Sequence, residues 1–280
     1  MKLFENRNLL IVTKHGKEQV LAPLLEEQLK VKCVLNTACD TDSFGTFSGE
    51  VDRTDDPLTT IRKKCLSTML YHNCDLAVAS EGSFGPHPNA FFAAVDDELV
   101  LLVDVKNNIE VIGRKVSLET NFAVKELSEI DDFKVFLQQV KFPSHKVILR
   151  NNLKDNAEIH KGIDTEEQAM QIFTKLRDKY GKVQVETDMR AMNNPTRMNV
   201  IKQAAENMLV KLQSKCPKCD FPGFSVKNSV AGLPCSCCNF PTRSILYEVY
   251  QCVKCNFVDQ KYFPRNQYFE DPMYCDTCNP

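Results

Sequence analysis

Eight cysteines arranged as four Cys-x-x-Cys pairs set the strongest constraint on how this chain can fold. The pairs are Cys216 with Cys219, Cys235 with Cys238, Cys252 with Cys255, and Cys275 with Cys278. Two residues between thiolates let one tight turn present both sulfurs to a single metal ion, and two such turns complete the four ligands of one zinc. Four turns therefore predict about two zinc ions, both structural, because four thiolates close the coordination sphere. Fifteen residues separate Cys219 from Cys235 and nineteen separate Cys255 from Cys275, which suits two consecutive ribbons. Spacing leaves the pairing open between sequential and interleaved. The residue after each second cysteine is Asp220, Asn239, Asn256 or Asn279. That place in a metal knuckle often needs a positive φ, which glycine takes freely and Asn and Asp tolerate next best. Cys237 is left as the expected non-ligand.

Charge and composition bound what this Cys-rich stretch can bind. The whole chain has a formal net charge of -2. Between Cys216 and Cys278 there are six Lys/Arg and six Asp/Glu. Each zinc held by four thiolates adds a net charge of about -2, so the module is expected to be acidic. Phosphate neutralisation drives most nonspecific nucleic-acid binding, so a nucleic-acid partner is not expected. Aromatic residues here, from Phe221 to Phe269, are expected to fill the small core between knuckles; any that are exposed would mark a protein partner's interface. Met1 to Arg7 lacks an apolar signal-peptide core, and no run is long enough to span a membrane. The expected setting is the reducing cytoplasm, with no membrane partner. The scattered Cys33, Cys65 and Cys74 read as small core residues; Cys39 falls in a polar loop.

Upstream of the cysteines the pattern is α/β. Asn8 to Thr13 is a short apolar run that reads as a buried strand, and Glu18 to Lys30 carries leucines at helical spacing. Val31 to Leu35 reads as a second strand, and a helix from about Leu58 to His72 opens behind Asp56 and Pro57. Leu76 to Ala79 reads as a strand ending at Ser80. Ala90 to Val95 and Leu99 to Asp104 read as strands flanking a turn at Asp96-Asp97-Glu98. A strand at 109–118, a helix at 130–141, a strand at 146–150, a helix capped by Asp164 and ended by Gly181, and a strand at 182–186 follow. Asn194 with Pro195 starts a last helix that runs to about Ser214. The expectation is a mixed sheet flanked by helices over residues 1–214, followed by a small double zinc-ribbon module over 215–280.

Polar clusters recur where these strands end, and in open α/β sheets that edge is where ligands sit. Thr13, His15 and Lys17 lie at the start of the first helix, whose N-terminus suits an anion. The loop from Asp40 to Glu50 is rich in carboxylates and suits a hard cation such as magnesium. Glu81, Ser83 and His87 stand among Gly82, Gly85, Pro86 and Pro88. Arg114 lies on the strand at 109–118, and Glu119 and Asn121 follow its end. Glu186, Asp188, Arg190 and Arg197 surround the last helix start, where an arginine fork suits phosphate or carboxylate. No Ser-His-Asp order or nucleophile elbow stands out. His15, His87 and His145 are alternative general bases or ligands.

The chain resembles an uncharacterised, mostly bacterial family of domains of unknown function that ends in a zinc ribbon. The stretches that carry the likeness are His15-Gly-Lys17, Phe44-Gly-Thr-Phe-Ser-Gly-Glu50, Glu81-Gly-Ser-Phe-Gly-Pro-His-Pro88, Glu119-Thr-Asn-Phe-Ala123, Glu186-Thr-Asp-Met-Arg190 and Asn194-Pro-Thr-Arg-Met198. This resemblance implies no activity. Residues 8 to about 118 are also similar to the house-cleaning nucleoside triphosphate pyrophosphatases, the inosine triphosphatase and Maf-like proteins. That likeness implies a phosphate loop at Thr13 to Lys17 and a metal carboxylate at Glu81, although His15 stands where that family has Asn and Lys17 comes one place early.

These residues lead to one working expectation and two alternatives. The first is a magnesium-dependent hydrolase of a nucleotide or other phosphorylated small molecule, with Glu50, Glu81, His87, Glu119 and Asp188 around the reacting group. Thr13, His15, Lys17, Ser83, Arg114, Asn121, Arg190 and Arg197 would hold the substrate. The alternatives are a metabolite-sensing and protein-interaction module, and a zinc-ribbon nucleic-acid binder.

Overall fold

The computed structural model describes residues 2–13, 15–35, 56–87, 90–151 and 158–280, with residues 87 and 90–92 as backbone only. It divides into two compact units, residues 1–106 with 112–208, and residues 107–111 with 209–280. No helix among the described residues is long and apolar enough to cross a membrane.

Two sheets are built from strands that precede the last helix. The larger has the order β2-β1-β3-β4-β5, from Lys32–Leu35, Asn8–Val12, Leu76–His87, Ala90–Asp104 and Ile109–Ser117. β1 pairs in parallel with both β2 and β3, and its Leu9 to Val12 are all buried. A strand covered on both faces reads as an unbroken apolar run for that reason. Helix α1 (Glu18–Leu29) buries Leu21, Leu25 and Leu29 at four-residue spacing. Helix α2 (Pro57–His72) is capped by Asp56, whose carboxylate accepts from the backbone N–H of Leu58 at 3.0 Å and Thr59 at 3.1 Å. Its Ile61, Cys65 and Met69 pack on Leu10, Val12, Ala77, Ala79, Leu101 and Val103.

The smaller sheet is antiparallel, in the order β6-β9-β7-β8, from Val124–Leu127, Val183–Thr187, Val147–Arg150 and Ile159–His160. Helices α3 (Ile130–Gln139) and α4 (Glu166–Tyr180) cover it, with Phe133 and Phe173 stacked at 4.3 Å. Helix α5 (Pro195–Gln213) starts where expected: Asn194 Oδ1 accepts from the Arg197 N–H at 3.0 Å. The α/β character and the mixed sheet match the sequence expectation; the second, separate sheet does not follow from it.

Three local expectations are corrected. Asp96-Asp97-Glu98 is not a turn. β4 runs unbroken from Ala90 to Asp104, because it pairs with β3 along its length, Phe84 opposite Asp96 and Gly82 opposite Glu98. For the same reason β3 does not stop at Ser80 but continues to His87. The cap of α4 is Thr165, whose hydroxyl accepts from the Gln168 N–H at 3.2 Å. Asp164 instead takes the Lys146 ammonium at 2.6 Å.

The second unit is a three-stranded antiparallel meander, β10 (Ser225–Ala231), β11 (Ile245–Gln251) and β12 (Val258–Tyr262), threaded between the four cysteine knuckles.

Candidate functional site

Six of the buried ionisable side chains lie where β1 ends and the β3–β4 hairpin runs on past it; Asp104, Arg150 and Asp188 are buried outside this group. Lys17, at the start of α1, is buried and donates to the Ser80 carbonyl at 3.2 Å. On one face of the sheet Glu81 accepts from the Lys64 ammonium of α2 at 2.8 Å. On the other, Glu98 accepts from Arg197 Nε at 2.6 Å, with Arg197 3% exposed and Glu98 wholly buried. Arg197 also bonds the Met189 carbonyl and lies over the Phe84 ring, 5.0 Å from its centroid. Asp96 completes the group, wholly buried beside Glu98. Gly82 is required here: a side chain on it would run into the Glu98 carboxylate and come within 2.7 Å of Arg197.

Burial is what most perturbs these groups. It pushes Lys17 down to about 8, helped by the Arg197 charge and opposed by Glu98 and Glu81. It pushes Asp96 up to about 8, helped by Glu98 and opposed by Arg197. A lysine and a carboxyl moved toward neutrality by their surroundings mark a candidate functional site.

The segment from Asp188 to Asn194 closes one side. Arg190 makes a two-pronged contact with Asp188, with Nη2 to Oδ2 at 2.6 Å, and Asn193 adds a third donor at 2.7 Å. Asn194 bonds Asn121 Oδ1 at 2.8 Å, and Phe122 stacks on Phe84 at 5.8 Å. Gly16, at φ 72°, brings the β1–α1 loop against the turn: a side chain on it would lie 3.4 Å from Met192 Cβ. Beside this segment lies a cavity of about 60 Å³ lined by Phe122, Ile148, Glu186, Thr187, Asp188, Met189 and Arg190. It has room for a few water molecules.

The sequence-predicted residues divide accordingly. Lys17, Glu81 and Arg197 meet, with Asp188, Arg190 and Asn121 adjoining them. Thr13 and His15 are half-buried in the adjoining loop, where the His15 N–H donates to Thr13 Oγ1 at 3.4 Å, and Ser83 is half-buried on the hairpin. Arg114 is elsewhere engaged, paired with Asp97 at 2.6 Å on the exposed side. Glu119 is exposed. His145 is a structural residue, with Nε2 2.8 Å from Thr196 Oγ1 and Nδ1 3.0 Å from Ser144 Oγ. Glu50 and its loop lie outside the described residues, as does the His87 side chain. Sequence reasoning missed Lys64, Asp96 and Glu98. The signal for the latter two was a pair of acids two residues apart inside a β-branched, apolar run, a pattern that is costly on a strand unless the charges are used.

In the second unit the eight cysteines form two four-sulfur groups: Cys216, Cys219, Cys252 and Cys255, and Cys235, Cys238, Cys275 and Cys278. Within each, all sulfurs lie within 4.8 Å of one another. The pairing is interleaved, and the meander explains why. Successive loops of an antiparallel meander fall at alternate ends, so the first knuckle meets the third and the second meets the fourth. Sulfur–sulfur distances across the first group are 3.7 Å (Cys216 to Cys255) and 3.6 Å (Cys219 to Cys252). Across the second they are 3.8 Å (Cys235 to Cys278) and 3.7 Å (Cys238 to Cys275). Asp220, Asn239 and Asn256 have φ of 57°, 58° and 55°, as expected; Asn279 is not left-handed. The three turns share a second lock. The N–H of the first cysteine donates to the carbonyl of Phe221, Phe240 or Phe257 at 2.9 Å. The fourth knuckle has Pro280 at that position. Cys237 is exposed and outside both groups.

Fold and sites together define a mixed α/β protein carrying a paired-knuckle unit built to hold metal. The family model described as "Domain of unknown function (DUF6671)" matches residues 64–280, and the chain belongs to that family. The matched residues include all eight clustered cysteines and Lys64, Glu81, Asp96, Glu98 and Arg197. No curated protein matches the chain.

Proposed function

We propose that the α/β unit is a hydrolase acting on a phosphorylated small molecule, a nucleotide being the first candidate, and that the Cys-rich unit is a pair of structural zinc ribbons. One observation carries the first reading: six ionisable side chains, Lys17, Lys64, Glu81, Asp96, Glu98 and Arg197, are buried together at a sheet edge. Replacing buried ion pairs by apolar residues is often neutral or stabilising, so stability alone gives a chain little reason to keep them. Lys17 and Arg197 supply the positive charge a phosphoryl group requires, and Glu81 and Glu98 hold the cluster in place through Lys64 and Arg197. Hydrolysis would break a phosphorus–oxygen bond, join the water oxygen to phosphorus and pass the water's proton to the leaving oxygen.

Magnesium does not fit the described carboxylates as they stand. Glu81 is taken by Lys64 and Glu98 by Arg197, and no third carboxylate or histidine joins them in a ligand set among the described residues. No step is therefore routed through it.

Zinc fits the cysteine groups. A zinc–sulfur bond of about 2.3 Å in a tetrahedron sets sulfurs about 3.8 Å apart, against the 3.6 to 3.8 Å across these groups. With its ligands closed in this way the ion would serve the fold. Phe240, Tyr268, Phe269, Met273 and Tyr274 are each more than half exposed around the second group, which favours a protein partner for that end of the unit.

The test of the first reading is a hydrolysis screen over nucleotides and sugar phosphates, run with magnesium and with EDTA. Turnover that falls at least about tenfold in Lys17→Met and Glu98→Gln supports it. Tight ligand binding with no turnover on any substrate would replace it by the sensing reading.

A further inference from the structure

Two carboxyl groups on β4 are buried in the interior, and among the described residues only Glu98 has an ion-pair partner. Asp96 and Glu98 are two residues apart on one strand, so both point to the same face, and both are wholly buried. Arg197 occupies Glu98 Oε1. Glu98 Oε2 and both Asp96 oxygens meet no donor among the described residues. Glu98 lies close enough to Asp96 to raise its affinity for a proton. Ionised carboxylates only accept, and two of them side by side repel. One proton between them supplies the missing donor and removes the repulsion.

We infer that Asp96 and Glu98 share a single proton at neutral pH, carried on Asp96, and that this proton leaves the buried cluster net positive and selective for an anionic ligand. Lys17, Lys64 and Arg197 then face two ionised carboxylates, Glu81 and Glu98. The inference rests on the hydrolase reading only for what the anion is; the proton itself does not depend on it. The charged groups acting on Asp96 are Glu98 and Asp97 on its own strand and Arg197 from α5; Lys17 adjoins Arg197 and Glu98, and the Glu81–Lys64 pair lies on the other face of the sheet. Asp97 points away, to Arg114 at 2.8 Å. Burial and then Glu98 hold Asp96 protonated up to about 8, and burial lets Lys17 lose its proton near the same value. Both losses lower the positive charge as pH rises.

Infrared difference spectroscopy and sulfate binding test this. A protonated carboxyl absorbs apart from a carboxylate, and sulfate keeps its charge across the range of interest. We expect one acid band in the full-length protein at neutral pH, absent in Asp96→Asn and fading as pH rises through about 8. Sulfate affinity by calorimetry should fall at least about tenfold between about pH 7 and pH 9. Asp96→Asn, neutral throughout, should keep the neutral-pH affinity and fall less steeply, through Lys17 alone. Glu98→Gln offers Asp96 an amide donor and should also abolish the acid band. No acid band that depends on Asp96 would overturn the shared proton. Manganese binding that Asp96→Asn removes would overturn it in favour of a cation, and sulfate affinity that is flat or rises with pH would overturn the charge assignment. A failed substrate screen touches none of these readouts.

Discussion

The two units of this protein both bury charge, and they do so by opposite means. In the α/β unit the compensating groups come from distant parts of the chain: Arg197 is 99 residues from Glu98, and Lys64 is 17 from Glu81. In the Cys-rich unit each knuckle is a local turn, repeated four times, and only the partnering of knuckles is long-range. There a metal ion would take the place of the side-chain cations. The contrast shows why one unit is readable from short motifs and the other is not. Ligand spacing and left-handed φ are properties of a few consecutive residues. A buried salt bridge depends on which strands happen to lie side by side.

The largest effect should come from the knuckles, and it distinguishes interleaved from sequential pairing. Cys216→Ser combined with Cys252→Ser strikes one group twice, so metal analysis should find about one ion per chain left. Cys216→Ser combined with Cys235→Ser strikes both groups and should leave none, with loss of protected amides in β10 to β12. The scale is set by the ~10–16 kcal/mol of apparent binding energy that structural zinc supplies in small domains. The reverse stoichiometries would mean sequential pairing.

Next in size is the arginine that closes the other unit. Arg197→Met leaves Glu98 buried without its partner and should cost ~3–5 kcal/mol in urea unfolding. Adding Glu98→Gln should restore part of that loss; no recovery would mean that Arg197 acts mainly through Phe84 and Met189. Asp96 adds a pH signature to the same measurement. The fold raises its affinity for a proton, so its contribution is fully present below its unfolded value near 3.8 and is lost as pH rises through about 8. Asp96→Asn should flatten that part of the curve.

The smallest effect compares one knuckle with another. Asn239→Ala removes the short polar side chain that eases a left-handed backbone and should cost about 1 kcal/mol, read as a lower thermal midpoint of the metal-bound protein. Asn279→Ala, at a position that is not left-handed, should change it by no more than about 0.5 kcal/mol. Equal losses at both would show that φ is not what selects Asn in these turns.

Much of the local structure was legible in the residues themselves. Asp56 before Pro57, Asn194 before Pro195 and Gly181 after α4 mark helix ends through their own backbone chemistry. The eight clustered cysteines and the odd Cys237 follow from spacing. Lys17, Glu81 and Arg197 could be picked out as polar residues at strand ends, but Lys64, Asp96 and Glu98 could not. Three acids in a row favour a turn when the strand opposite is unknown. Here the β3–β4 pairing holds them extended, and the alternation of a strand sends Asp96 and Glu98 inward while Asp97 points to Arg114.

The sequence by itself therefore determined where the metal-binding turns fall, what backbone shape they need and how the apolar runs divide into strands and helices. All of these depend on neighbours within a few positions. Tertiary structure alone decided that the knuckles pair first with third and second with fourth, since that depends on three strands forming a meander. It also decided that six charges meet at one sheet edge. Contacts of that kind are fixed by strand order and register, which no short stretch of residues carries.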